Sequence, residues 1–151
     1  MKKSISAMTA LVVCLAVGLT GCPSATSGNS TTALSPFAGT WTTTSGGDTD
    51  TVTITSSRMT IELSDAVGNA TTGYGLASTV SSSSTSLDVI LKVTSVASSG
   101  VSNNKTVGTY YHFTFSLSGS VLTAVASPNG ESTATAAQAD TPSDTAVLTK
   151  S

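Results

Sequence analysis

Residues 106–117 read Thr-Val-Gly-Thr-Tyr-Tyr-His-Phe-Thr-Phe-Ser-Leu, and alternation runs through all of them. Val107, Thr109, Tyr111, Phe113, Phe115 and Leu117 fall on one face, while Gly108, Tyr110, His112, Thr114 and Ser116 fall on the other. Successive side chains of an extended strand point to opposite sides, so this spacing predicts a strand with one core-facing side carrying three aromatic rings. No stretch of the chain carries the three-and-four spacing of an amphipathic helix.

Outward from this strand the same pattern recurs. Ser118-Gly119 gives a tight reversal into a strand over 120–126, and Pro128-Asn129-Gly130 turns that strand into another starting at Glu131, so a three-stranded meander is expected. Upstream, 38–44 is the first strand, and 51–55 carries Val52 and Ile54. After the Ser56-Ser57 turn, 58–63 alternates Met59, Ile61 and Leu63 with Arg58, Thr60 and Glu62. Residues 65–69 form a loop, and 72–80 places Tyr74, Leu76 and Val80 together. Residues 81–84 form a second loop, and Leu87, Val89, Leu91 and Val93 oppose Asp88, Lys92 and Thr94. A last short strand lies near 146–149. Residues 134–143, rich in alanine and holding Pro142, read as a ragged strand, a short helix or a loose loop.

Eight or nine strands joined by short turns are antiparallel. An open sheet of that size leaves two unpaired edges, and closure removes them. The expected fold is therefore all-β, an antiparallel up-and-down barrel of about eight strands, with a β-sandwich as the alternative.

Residues 1–21 are not part of that domain. Lys2 and Lys3 precede an uncharged run rich in Ala, Leu and Val, which ends in Leu19-Thr20-Gly21-Cys22. The charge-then-apolar order is that of an export signal, and the run is shorter than the ~20 residues a membrane span needs. The segment resembles a bacterial lipoprotein signal with its lipobox. That resemblance implies cleavage before Cys22, a lipid on the Cys22 thiol, and residence in the cell envelope by a lipid anchor. Pro23-Ser24 lacks the aspartate of an inner-membrane retention signal, so the outer membrane is favoured. Residues 22–36, almost all Ser, Thr, Ala, Gly and Asn, are expected to be a flexible acylated tether, with one domain over 37–151.

Composition narrows the function. All eight acidic residues lie beyond Cys22, and only Arg58, Lys92, Lys105 and Lys150 oppose them, so no basic patch suits nucleic acid. Of the two cysteines, Cys14 belongs to the export signal and Cys22 is the lipid acceptor. The domain must therefore rest on packing rather than a disulfide.

At the start of the domain stands Pro36-Phe37-Ala38-Gly39-Thr40-Trp41. Its Gly39-x-Trp41 triplet on the first strand resembles the opening of lipocalins and fatty-acid-binding proteins, members of the calycin group. The resemblance covers 37–151 in pattern but only these few residues in motif. It implies that Gly39 admits a close approach of the chain and that Trp41 plugs the closed end of the barrel, its N–H finding an acceptor. The Thr-Asp-Tyr element of typical lipocalins is missing. So is the late arginine that packs across the tryptophan, for which Lys150 is the only nearby substitute.

The inventory for catalysis is thin. His112 is the sole histidine, and its parity turns it outward as a surface residue; a histidine-based zinc site is excluded by count. No Gly-x-Ser-x-Gly elbow singles out a serine. Asp48 and Asp50 in the segment 46–50 read as turn residues before calcium ligands. The protein reads as non-enzymatic, with no cofactor and no metal.

What remains is the aromatic set Tyr74, Tyr111, Phe113 and Phe115. An eight-stranded barrel is just wide enough to fill with its own side chains or to hold one small ligand. Solid packing is the first expectation for such a stripe, and the wall of a pocket for a small hydrophobic ligand the second. Two functional readings follow: a lipid-anchored envelope protein that binds an apolar small molecule inside the barrel, or a surface module whose loops bind a protein or glycan. The loops 46–50, 65–69, 81–84 and 98–105 would serve the second.

Overall fold

A computed structural model describes residues 33–151. The export signal, Cys22 and the tether as far as residue 32 lie outside the described residues.

The fold is a closed antiparallel barrel of eight strands in simple sequential order. These are β1 (Gly39–Ser45), β2 (Asp48–Ile54), β3 (Arg58–Ser64), β4 (Asn69–Ser82), β5 (Ser86–Ser99), β6 (Tyr110–Ser118), β7 (Val121–Ala126) and β8 (Asp144–Lys150). The up-and-down barrel is thus the architecture, not the sandwich. One short helix, α1 (Ala134–Ala139), lies between β7 and β8.

The turns explain themselves chemically. Gly46 and Gly47, with φ of 64° and 100°, form the two-residue β1–β2 hairpin. Ser83 closes the β4–β5 turn: its hydroxyl accepts from the Ser86 amide at 2.8 Å, and its own amide donates to the Ser86 carbonyl at 2.7 Å. Register shifts along β4–β5, the first between Gly73 and Tyr74, let these two long strands bend with the barrel wall.

Two expectations need correction, and of the three readings of 134–143 the short helix is the one that forms. The strand after 128–130 does not form. Glu131 makes only an isolated bridge to Tyr110, and β7 pairs instead with β8 over six residues. Residues 134–143 begin as helix, since the Thr133 hydroxyl caps α1 by accepting from the Ala136 amide at 3.2 Å. At the start of the 106–117 run, Val107 is exposed in a turn and the strand begins only at Tyr110.

The domain also starts earlier than residue 37. Ala33 and Leu34 are buried, and Ser35–Phe37 form a 3₁₀ turn in which the Phe37 amide donates to the Leu34 carbonyl at 3.0 Å. With the turns at 55–57, 83–85 and 119–120, this segment seals one end of the barrel. Trp41 lies over it, fully buried, and its indole N–H donates to the Phe37 carbonyl at 3.0 Å. Lys150 covers the ring from the β8 side, with Nζ 5.4 Å from its centroid.

The same end holds Leu87, Leu122, Leu148 and Phe115 without solvent exposure worth noting. The opposite end, bounded by the connections at 46–47, 65–68, 100–109 and 127–143, is the mouth. The β1–β8 seam is laddered only near the closed end, through Trp41↔Lys150 and Thr42↔Thr149.

Candidate functional site

Tyr74, Tyr111 and Phe113 come from β4 and β6, and all three are buried on the inner face. Tyr74 meets Phe113 edge-on at 5.4 Å between ring centres and Tyr111 edge-on at 6.2 Å. Phe113 lies parallel to Phe115 at 5.8 Å, and Phe115 in turn tilts against Phe37 at 6.0 Å. The rings therefore form one column from mouth to closed end, and geometry of this kind is favourable for aromatic pairs beyond their burial.

The column divides the expected site residues. Phe115 is fully buried toward the closed end and borders neither of the two lobes that follow. Tyr74, Tyr111 and Phe113 line an unfilled space in the mouth half. One lobe, of about 230 Å³, lies among Ile61, Leu63, Thr72, Tyr74, Asn103, Lys105, Tyr111 and Phe113. A second, of about 180 Å³, lies among Asp50, Val52, Met59, Phe113, Ala124, Asp144, Ala146 and Leu148. Ile61, Leu63, Phe113, Ala126 and Asp144 border both, so the lobes are neighbours around Phe113. The second lobe reaches down to Met59 and Leu148, toward the closed end.

Small residues make the hollow. Ala124, Ala126 and Ala146 stand on the inner faces of β7 and β8, opposite the bulky β3 side chains, and leave a volume that no neighbour fills. The connection at 100–109 roofs one lobe. Asn103 fastens it, its side-chain amide donating to the Thr72 hydroxyl at 3.0 Å and to the Thr71 carbonyl at 3.3 Å. Lys105 lays its ammonium 4.3 Å from the centre of the Tyr111 ring. At the hydroxyl end of that ring, a Cβ on Gly130 would stand 2.6 Å from the Tyr111 oxygen, so glycine lets this loop close against it.

The electrostatics are uneven. Burial, with Tyr111 nearby, pushes the Tyr74 hydroxyl well above the usual phenol range, so it stays neutral and available for hydrogen bonding. Asp50 faces inward beside Val52. Partial burial first and the Asp48 carboxylate second raise its pKa above the ordinary value of 3.8.

His112 is not a surface residue. It does point away from the barrel axis, but α1 covers it and leaves it 8% exposed. Its Nε2 lies 2.6 Å from an Asp88 oxygen and its Nδ1 2.8 Å from the Asp140 carbonyl. Ile90, also outward-facing, and Ala137 of α1 are fully buried in the same place. A second, smaller core therefore lies outside the barrel wall. Strand parity could not reveal it, because the covering element was ambiguous in sequence.

Among the described residues no three potential metal ligands come together, and no helix is long and apolar enough to cross a membrane. Comparison with protein-family models, with curated proteins and with solved structures returns no match to this chain.

Proposed function

We propose that this is a non-enzymatic, lipid-anchored envelope protein whose lipocalin-like barrel binds a small, mostly apolar molecule in its mouth half. The observation that carries the binding reading is the unfilled space around Tyr74, Tyr111 and Phe113 above a well-packed plug. Interiors normally close such gaps, and each lobe exceeds the ~150 Å³ that suffices for a benzene-sized guest. Desolvation of the guest would supply most of the affinity.

The chain path suits an anchor at Cys22. The chain enters the barrel at the closed end, through Ala33 and Leu34, so a lipidated Cys22 would tether that end and leave the mouth facing away from the bilayer. The residues between Cys22 and Ala33 could span at most ~3.5 Å each. The outer membrane is the proposed location, on the strength of Pro23-Ser24.

Two measurements test this reading. Palmitate labelling in a bacterial host should be lost in Cys22→Ser. Native mass spectrometry of the protein isolated gently from its host should show a co-purifying small molecule, released when the cavity is filled. A chain that carries no molecule and takes up no hydrophobic dye overturns the binding reading.

A surface-interaction reading has one observation in its favour. Val67 and Val107 stand 76% and 58% exposed on two of the mouth connections. A partner lost on replacing both with serine, yet retained when the cavity is filled, would favour that reading over the first.

A further inference from the structure

We propose that the mouth cavity selects a small apolar molecule bearing a protonated amine, its hydrocarbon part against Phe113 and its ammonium beside Asp50 and Asp144. The inference rests on the ligand-binding reading and adds the chemical class.

The composition of the 180 Å³ lobe carries it. Its walls are aliphatic and aromatic, and its only charged side chains are Asp50 from β2 and Asp144 from β8. Both share the inner face with apolar residues, Asp50 with Val52 and Ile54, and Asp144 with Ala146 and Leu148. Among the described residues the one ion pair is His112 with Asp88, outside the barrel, so neither inward carboxylate has a cationic partner.

Asp50 is partly buried at this apolar wall and Asp144 is exposed at its rim, so a counter-charge entering the lobe favours the Asp50 carboxylate most. Lys105 borders the larger lobe together with Asp144, but it lies over the Tyr111 ring and makes no ion pair with that carboxylate. Beside Asp50, the adjoining recess adds Asp48 and Asp65 and no basic group. An incoming ammonium relieves this repulsion, whereas a fatty carboxylate would add to it. The lobe volumes limit the hydrocarbon part to about the size of one ring and a short chain.

The test is a methyl NMR titration of the full chain with three molecules of one skeleton: 2-phenylethylamine, 2-phenylethanol and 3-phenylpropanoate. Shifts at Ala126, Ala146 and Leu148 report the site itself. The expected result at neutral pH is that the amine binds at least about fivefold tighter than the alcohol, the scale of a partly exposed ion pair, and the carboxylate weakest.

That advantage should fall to within twofold in Asp50→Asn/Asp144→Asn. If this variant does not fold, the unaltered chain serves, because the amine's advantage should shrink as pH is lowered through the carboxylate range. Equal binding of amine and alcohol, or an advantage that survives neutralisation of the two carboxylates, overturns the inference and leaves the binding reading standing. Failure of all three molecules to move these methyls removes the binding reading itself, and the inference with it.

Discussion

The Lys150 ammonium stands 5.4 Å from the centre of the Trp41 ring, and so the last residues of β8 hold down the residue that plugs the start of β1. The two meet at the point where the barrel closes, since Trp41↔Lys150 is one of the two register pairs that join the first strand to the last. Closure and plug are a single feature.

Trp41→Ala should therefore cost about 3–5 kcal/mol, the range for removing a buried indole, and should loosen the β1–β8 seam as well as the core. Lys150→Ala should cost only about 0.5–1 kcal/mol, because the lysine is exposed and its attraction to the ring is screened. Urea denaturation of the two variants checks the ratio.

Gly39 has φ of +145°, and a Cβ there would lie 3.2 Å from Lys150 Cε. The lysine is flexible and can withdraw, but the backbone cannot. Gly39→Ala should thus lose about 1–3 kcal/mol whether or not Lys150 is present. Equal losses in the Lys150→Ala background would establish that backbone strain, not the contact, sets the requirement.

His112 joins the outer face of β6 to Asp88 on β5 and to the end of α1 at Asp140. Both partners are acceptors, so the ring satisfies both only when both nitrogens carry hydrogen. His112→Ala should cost about 1–3 kcal/mol and raise amide exchange across 134–139, with little effect on the cavity. Asp88→Asn keeps an acceptor and should cost less. Hydrogen exchange by mass spectrometry separates the local opening from global unfolding.

Two raised acids predict opposite ends of the pH profile by one rule: a group whose folded pKa is raised destabilises the fold once it must ionise. For Asp50 that penalty is absent below the unfolded value of 3.8 and present in full above the raised folded value. Asp50→Asn should then stabilise the protein near neutrality, by less than about 1 kcal/mol given its partial exposure, and do nothing at low pH. For Tyr74 the penalty begins above its ordinary value of 10.0, so alkaline unfolding should be delayed in Tyr74→Phe. Thermal melts across pH read both.

Ala126 borders both lobes from the inner face of β7. Ala126→Phe should fill the space and abolish uptake of a hydrophobic dye. Its effect on stability should be below about 1 kcal/mol, because the ring enters open volume instead of packed atoms. Dye fluorescence and a denaturation curve on the same sample decide it.

The strands were legible where alternation was strict. In β3 and in β6 from Tyr110 onward, period-two spacing gives the inner face residue by residue, because the pleat permits no other arrangement. Leu34 shows the limit of composition. A single leucine in a run of Ser, Thr and Ala reads as tether, yet it is fully buried because the closed end of the barrel needs a cap. The divergent fates of Phe113 and Phe115 show another limit, as identical parity says nothing of depth along the barrel axis.

From the order of residues alone came the all-β class, a count of about eight strands, their antiparallel connection and the inward face of the strictly alternating ones, since these are local consequences of pleat and turn. Tertiary structure alone decided that alanines on β7 and β8 face Ile61 and Leu63 across an unfilled space. It also decided that α1 turns an outward histidine into a buried one, and that Asp50 and Asp144 share one lobe. Those relations join residues far apart in sequence, and packing volume and electrostatic neighbourhood exist only once the barrel has closed.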